Sequence, residues 1–210
     1  MARFRSGDTP PDWCELRHFT VDDVSAEGPV RQSRKAVREM LMMTRGRALV
    51  RAGEAAMVLR SGQFFDIPEA CNDWSVEAVT DDAELLRFAG TWGREIAGCG
   101  LWALENDPEA TNNGDPVDYP KQTRMDSHYH DYDEYWFILD GAATAVVAGD
   151  AQDVVAGDCV AIGAGHHHDM PMVQETMRGA FFMTSLMGRK RLGHLWNHTH
   201  GPAEPQPGRN

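Results

Sequence analysis

The sequence predicts an all-β protein made of two halves of similar plan, on three observations. Short apolar stretches recur between turn-forming residues, as in a barrel or sandwich. The halves share a fixed offset: Glu39, Gly46 and Gly62 stand 95 residues before Glu134, Gly141 and Gly157. The second half alone carries His128, His130, Glu134 and His168. The first three of these have the same parity and so share one face of an extended strand.

The elements follow in order. Residues 1–12 are polar, contain Pro10-Pro11 and read as a flexible lead-in. Strands are expected at 13–20, 37–43, 47–51, 56–59, 64–67, 74–79 and 85–88, with turns at Gly46, at Ser61-Gly62 and after Pro68. Residues 90–104 are glycine-rich and apolar, a candidate crossover strand. Residues 105–119 contain Asn112-Asn113-Gly114-Asp115-Pro116 and read as an inter-copy loop or a flap over the site. Further strands are expected at 122–130, 134–139, 143–147, 153–155, 159–162, 168–173 and 179–185. Residues 188–193 are basic and suit the cap of a short helix, and 201–210 are rich in Pro and Gly, a disordered tail. The expected domains are 13–104, 105–200 and the tail 201–210.

The chain has 210 residues and a formal charge of −12, from 20 basic and 32 acidic residues. Such a balance repels phosphate backbones, which argues against nucleic acid as a partner. No apolar run approaches the ~18 residues of a membrane span, and the N-terminus lacks the apolar core of a secretion signal. A cytoplasmic protein is expected. Cys14, Cys71, Cys99 and Cys159 are scattered without a C-x-x-C pair, which favours reduced thiols.

Three imidazoles and one carboxylate suit iron, manganese, nickel, copper or zinc. On a six-coordinate ion they leave two positions open. The turn Gly163-Ala164-Gly165 suits a sharp reversal that delivers His168 from another strand. His166 shares the parity of His168 and is the alternative ligand if the register shifts.

At these residues the chain resembles the cupin superfamily. The first cupin motif, G-x5-H-x-H-x3,4-E-x6-G, matches from His128 to Gly141, with Gln122 in place of its opening glycine. The second, G-x5-P-x-G-x2-H-x3-N, matches at Gly157, Gly165 and His168. Gly163 stands where proline is usual and Met172 where asparagine is usual. The motif spacing selects His168 over His166. The resemblance implies a cupin β-barrel, a jelly-roll-like antiparallel sandwich with one divalent ion inside. At the offset of 95 residues, Ser33, Lys35 and Asp73 fall where His128, His130 and His168 sit. A bicupin with a metal-free first copy is therefore expected, and a lysine would oppose a metal there.

Parity nominates Gln122, Arg124 and Trp136 as substrate-binding residues, with Arg124 suited to a carboxylate or phosphate. Arg124 paired with a neighbouring acid, and Trp136 as core wall, are the plainer readings. Glu134 is the one candidate catalytic carboxylate and is also a ligand. His194, His198 and His200 fall near a tail expected to be too mobile to build a site. The expected function is a metal-dependent enzyme on a small polar molecule, a dioxygenase, isomerase or lyase. A non-catalytic binding module is the alternative. A homodimer is expected, because sheet edges in such folds are commonly covered.

Overall fold

A computed structural model describes residues 1–24, 28–111, 114–185 and 191–210. In chain order the strands are β1 (Ala2–Arg5), β2 (Leu16–Asp23), β3 (Val30–Ser33), β4 (Arg38–Arg45), β5 (Arg47–Ala52), β6 (Ala55–Arg60), β7 (Phe64–Asp66), β8 (Asp73–Ala78), β9 (Glu84–Gly90) and β10 (Gly98–Leu104). They continue with β11 (Glu134–Val147), β12 (Asp150–Val155), β13 (Asp158–Ile162) and β14 (His168–Met183), before one short helix, α1 (Asn197–His200). Among the described residues no helix is long and apolar enough to cross a membrane.

The chain divides into two compact units. One comprises Met1–Arg5, Pro11–Cys14 and Gly93–Asn210, the other Ser6–Pro10 and Glu15–Trp92. The N-terminal unit holds two four-stranded antiparallel sheets, ordered β2-β9-β4-β7 and β3-β8-β5-β6. Their core includes Leu41, Met43, Val50, Leu59, Trp74 and Leu85. The C-terminal unit holds one sheet ordered β1-β13-β11-β14-β10, with β12 also paired to β11. Trp136, Ile138, Val160, Ile162, Met170 and Met177 fill its core. Each such fully buried side chain contributes about 1.5–3 kcal/mol.

The architecture is all-β as expected, but among the described residues the sheets do not close into a hydrogen-bonded barrel. Two strands of the C-terminal unit run longer than the sequence pattern suggests. β11 covers both 134–139 and 143–147, which read as separate strands in the sequence, and its pairing with β14 shifts register between Ile138 and Asp140 and again between Asp140 and Ala142. Gly141 sits at this bend with φ +79, and a Cβ there would meet the Thr176 carbonyl at 2.5 Å. Only glycine fits that close approach. β14 likewise joins the expected 168–173 and 179–185.

Other expectations are corrected. Residues 2–5 are a strand, because β13 offers a sheet edge to them: Ala2 faces Ala161 and Arg5 faces Asp158. β3 was not expected, since its sequence VRQS lacks an apolar run, and it forms because β8 supplies a partner. Residues 122–130 form no regular strand and contribute only the single bridges His128–His168 and Tyr129–Leu195. The tail 201–210 is hydrogen-bonded rather than disordered: Gln206 N–H donates to the Ala164 carbonyl and Gly163 N–H to that of Arg209. Of the helix cap expected at 188–193, residues 188–190 lie outside the described residues, as do Asn112 and Asn113 of the loop.

Candidate metal centre

Glu134 opens β11 and His168 opens β14, and these strands pair directly. His128 and His130 come from the segment just before β11. That segment is clamped to β14 by reciprocal bonds between His128 and His168, at 3.2 and 2.8 Å. The alternation read in the sequence thus holds locally, although no full strand supports it.

Backbone carbonyls orient two of the rings. His128 Nδ1 lies 2.8 Å from the Asp126 carbonyl, and His168 Nδ1 lies 2.9 Å from that of His166. A carbonyl only accepts, so each Nδ1 carries the proton and each Nε2 lone pair is free for a cation. Trp136 Nε1–H donates to Glu134 Oε1 at 2.9 Å, which turns Oε2 toward the histidines. His130 Nδ1 stands 3.0 Å and His168 Nε2 3.1 Å from that Oε2. All four residues are between 1% and 4% exposed, and they offer donor atoms within 4.8 Å of one another.

These close approaches are not hydrogen bonds. His130 Nδ1 and Nε2, Glu134 Oε2 and His168 Nε2 are all buried without a hydrogen-bond partner among the described residues. The distances alone would suggest ion pairs, but the donor directions do not meet the acceptors. Each orphaned buried group costs about 1–3 kcal/mol. One divalent ion would satisfy Glu134 Oε2, His168 Nε2 and one of the two His130 nitrogens together, since donors about 2.1 Å from an octahedral ion stand about 3 Å apart. The residues present fit a metal.

The protonation states suit it too. Burial, reinforced by the other imidazoles, holds His128 well below the ordinary histidine value, and burial also lowers His130. Burial alone would raise Glu134, yet the adjacent His130 and His168 hold its carboxyl well below the usual range. Metal ligands must be neutral imidazoles and ionised carboxylates. Metal uptake should therefore persist as pH falls through about 6.5, where an ordinary histidine protonates. Titrating bound metal against pH checks this, and a midpoint at or above that value would contradict it.

The N-terminal unit offers a contrast at the same sequence offset. Glu39 is fully buried, but its oxygens are satisfied. Trp74 Nε1 donates to Oε1 at 2.8 Å, Arg87 Nε donates to Oε1 at 2.9 Å, and the Lys35 backbone N–H donates to Oε2 at 2.7 Å. Arg87 also donates to Gln32 Oε1 at 2.8 Å and to the Ser33 carbonyl at 2.5 Å, and it lies 5.0 Å from the Trp74 ring centre. The cation beside this glutamate is thus Arg87 from β9, not Lys35, whose residue is exposed. Ser33 Oγ donates to Asp73 Oδ1 at 2.7 Å.

Of the nominated substrate contacts, Gln122 and Arg124 are exposed while the cluster is buried. Arg124 is ion-paired to Asp107, so its guanidinium is turned away into a surface pair. The parity argument fails for both because 122–127 is not extended strand. Trp136 is buried core, and its polar atom serves Glu134 rather than a ligand.

His194, which sequence reasoning places in a mobile tail, lies against the cluster. Its ring stacks on His128 at 3.8 Å and 3° and lies 5.5 Å from His130. Its Nδ1 bonds Asp126 at 3.0 Å, and Trp196 Nε1 donates to the same carboxylate at 2.8 Å. This hydrogen bond raises the His194 pKa despite burial. Arg191 forks onto both oxygens of Asp131, at 2.7 and 2.8 Å, and Leu195 bridges Tyr129. The segment 191–196 therefore runs beside the ligand segment 126–131. The one available signal was the aromatic and histidine content of 194–200 after a basic stretch.

A cavity of about 820 Å³ borders His168 and is lined by Asp115, Tyr119, Ser127, His167 and His198 among others. Asp115 accepts from His167 Nε2 and His198 Nδ1, each at 2.8 Å, and from the Asn197 N–H. Burial opposes ionisation, but these donors lower its pKa to about 2. None of the four cysteines forms a disulfide, and Cys14 and Cys159 are buried.

Residues 117–182 match the Cupin domain family. The Sinorhizobium fredii protein y4oW, itself described as uncharacterized, is 49% identical over 209 residues, spanning 100% of this chain and 96% of its own. Among solved structures, an IolB-like protein from Salmonella typhimurium has a TM-score of 0.57 at 14% identity, covering 95% of this chain and 98% of that one. Bacillus subtilis oxalate decarboxylase has a TM-score of 0.52 at 13% identity, covering 88% and 77%. At such identities these two structures speak to fold alone. The chain belongs to one family with y4oW, and its residues 117–182 match the Cupin domain.

Proposed function

We propose that the C-terminal unit is the catalytic half of a metal-dependent enzyme acting on a small polar molecule. The observation that carries this reading is the set of buried ligand atoms that face one another unsatisfied, His130 Nδ1 and Nε2, Glu134 Oε2 and His168 Nε2. His128, His130, Glu134 and His168 would hold one divalent ion. When bound, it supplies Lewis acidity, or redox chemistry with dioxygen if it is iron or manganese. The chain's own residues contribute position and charge. The Asp126 and His166 carbonyls fix two rings, Trp136 fixes Glu134, and the buried walls exclude water. A dioxygenase-type or an isomerase- or lyase-type reaction fits this donor set.

Manganese is the first ion to test, since the B. subtilis oxalate decarboxylase is described with Mn(II) centres. The test is metal analysis of anaerobically purified protein, with oxygen uptake measured against small acids and sugars. Uptake with iron or manganese supports the dioxygenase. Product without uptake supports the isomerase or lyase. Protein that carries metal but turns over nothing supports a binding module instead, and protein that takes up no metal refutes the reading.

We further infer that the two units are tandem copies, one of them metal-free. Their internal registers support this. Met40 faces Asp66 and, 95 residues on, Tyr135 faces Ala161. Arg47–Arg60 corresponds in the same way to Ala142–Val155, and Ala48–Ala78 to Ala143–Val173. Ser33 faces Asp73 as His128 faces His168. Ser33→Ala and Asp73→Ala should leave metal content unchanged, and a loss in either would contradict a metal-free copy.

A further inference from the structure

The motif departure at Gly163 has a structural cause in the C-terminal tail. Gly163 N–H donates to the Arg209 carbonyl at 3.1 Å, a bond proline cannot make. A Cβ on Gly163 would meet that carbonyl oxygen at 2.2 Å and Arg209 Cβ at 2.4 Å. Gly165 is hemmed in by the same tail: it has φ +79, and a Cβ would meet the Glu204 carbonyl at 2.2 Å. Gln206 adds two bonds, its N–H to the Ala164 carbonyl at 3.0 Å and its carbonyl to His166 Nε2 at 2.9 Å. The tail thus lies in a groove that the turn leaves open only because it is built of glycine.

The tail also reaches the other ligand-bearing segment. Arg209 Nη1 donates at 2.8 Å to Asp133 Oδ2, while Asp133 Oδ1 accepts from the Ala164 N–H at 2.9 Å. Asp133 is 3% exposed and directly precedes Glu134. Gly165 N–H donates to the His130 carbonyl at 2.7 Å. One short segment therefore ties together the turn before His168, the residue before Glu134 and, through Gly165, the backbone of His130.

We propose that residues 204–209 are a strap that positions the metal ligands, with Arg209 as its anchoring positioning residue. This rests on the metal reading above. Gln206 and Arg209 bond Gly163, Ala164, His166 and Asp133, which are neighbours of the ligands and not ligands themselves. It holds the two ligand-bearing segments at the separation a single ion needs, and it takes the place of the rigidity a proline at position 163 would supply.

The test uses full-length protein and Mn(II). Gly163→Pro removes the N–H and fills the groove, and Arg209→Ala removes the ion pair alone. Calorimetry should show Mn(II) affinity weakened about 10-fold or more in each, the usual effect of losing an outer partner of a metal ligand. Arg209→Lys, which keeps the charge, should recover part of it, and the paramagnetic resonance line shape of bound Mn(II) should change in Arg209→Ala. Amide exchange at Gly165 and Gln206 should quicken in Arg209→Ala even without metal. Affinity within about twofold of the parent in Arg209→Ala, with exchange at Gly165 unchanged, overturns the strap however Gly163→Pro behaves. Parent protein that binds no metal refutes the metal reading instead, and the exchange measurement on Arg209→Ala then decides the strap alone.

Discussion

His130→Ala is expected to take metal content from about one ion per chain to near zero, a loss of affinity greater than about 100-fold. The estimate follows because even outer partners of a ligand cost 10–100-fold when removed, and His130 is itself a ligand. Both its ring nitrogens are buried without hydrogen bonds, and Nδ1 lies 3.0 Å from Glu134 Oε2. A second signature separates this from general damage. A metal bound at 100 times its Kd stabilises the fold by about 2.7 kcal/mol. A chelator should therefore lower the melting temperature of the parent protein and leave that of the variant unmoved. Unchanged metal content in a folded His130→Ala protein would remove His130 from the ligand set.

Arg87→Ala should have the largest effect on stability, about 3–5 kcal/mol, because it leaves the Glu39 carboxylate buried beside no cation. Arg87 is 3% exposed and Glu39 fully buried. The guanidinium also bonds Gln32 Oε1 and the Ser33 carbonyl, and both contacts are lost with it. A double variant, Arg87→Met with Glu39→Leu, should recover much of the loss, since an apolar pair of similar volume avoids both desolvation costs. Denaturant unfolding of the three proteins measures this. A cost below about 1 kcal/mol for Arg87→Ala would mean the pair is effectively solvated. Metal content should be unaffected, because the affected residues belong to the N-terminal unit.

Strand-and-turn composition, the ligand candidates and the offset of 95 residues can be read from the chain alone. Those are legible because strand parity is a local rule and because His128, His130 and Glu134 lie within seven residues of one another. Most strands were legible for the same reason, with ends displaced by one to a few residues. Where a strand depends on its partner, local rules failed. Residues 2–5 and β3 pair only because β13 and β8 present edges to them, and 122–127 stayed irregular although its residue types suit a strand.

Tertiary structure alone decided which polar groups are satisfied. Glu39 and Glu134 occupy the same place in the offset, yet Arg87, 48 residues from Glu39 in the chain, helps satisfy one, while Oε2 of the other has no hydrogen-bond partner among the described residues. Only tertiary structure shows Arg124 turned to Asp107, His194 stacked on His128, and a seemingly disordered tail seated against Gly163 and Gly165. Hydrogen-bond satisfaction and close packing join residues distant in the chain, and no local periodicity encodes them.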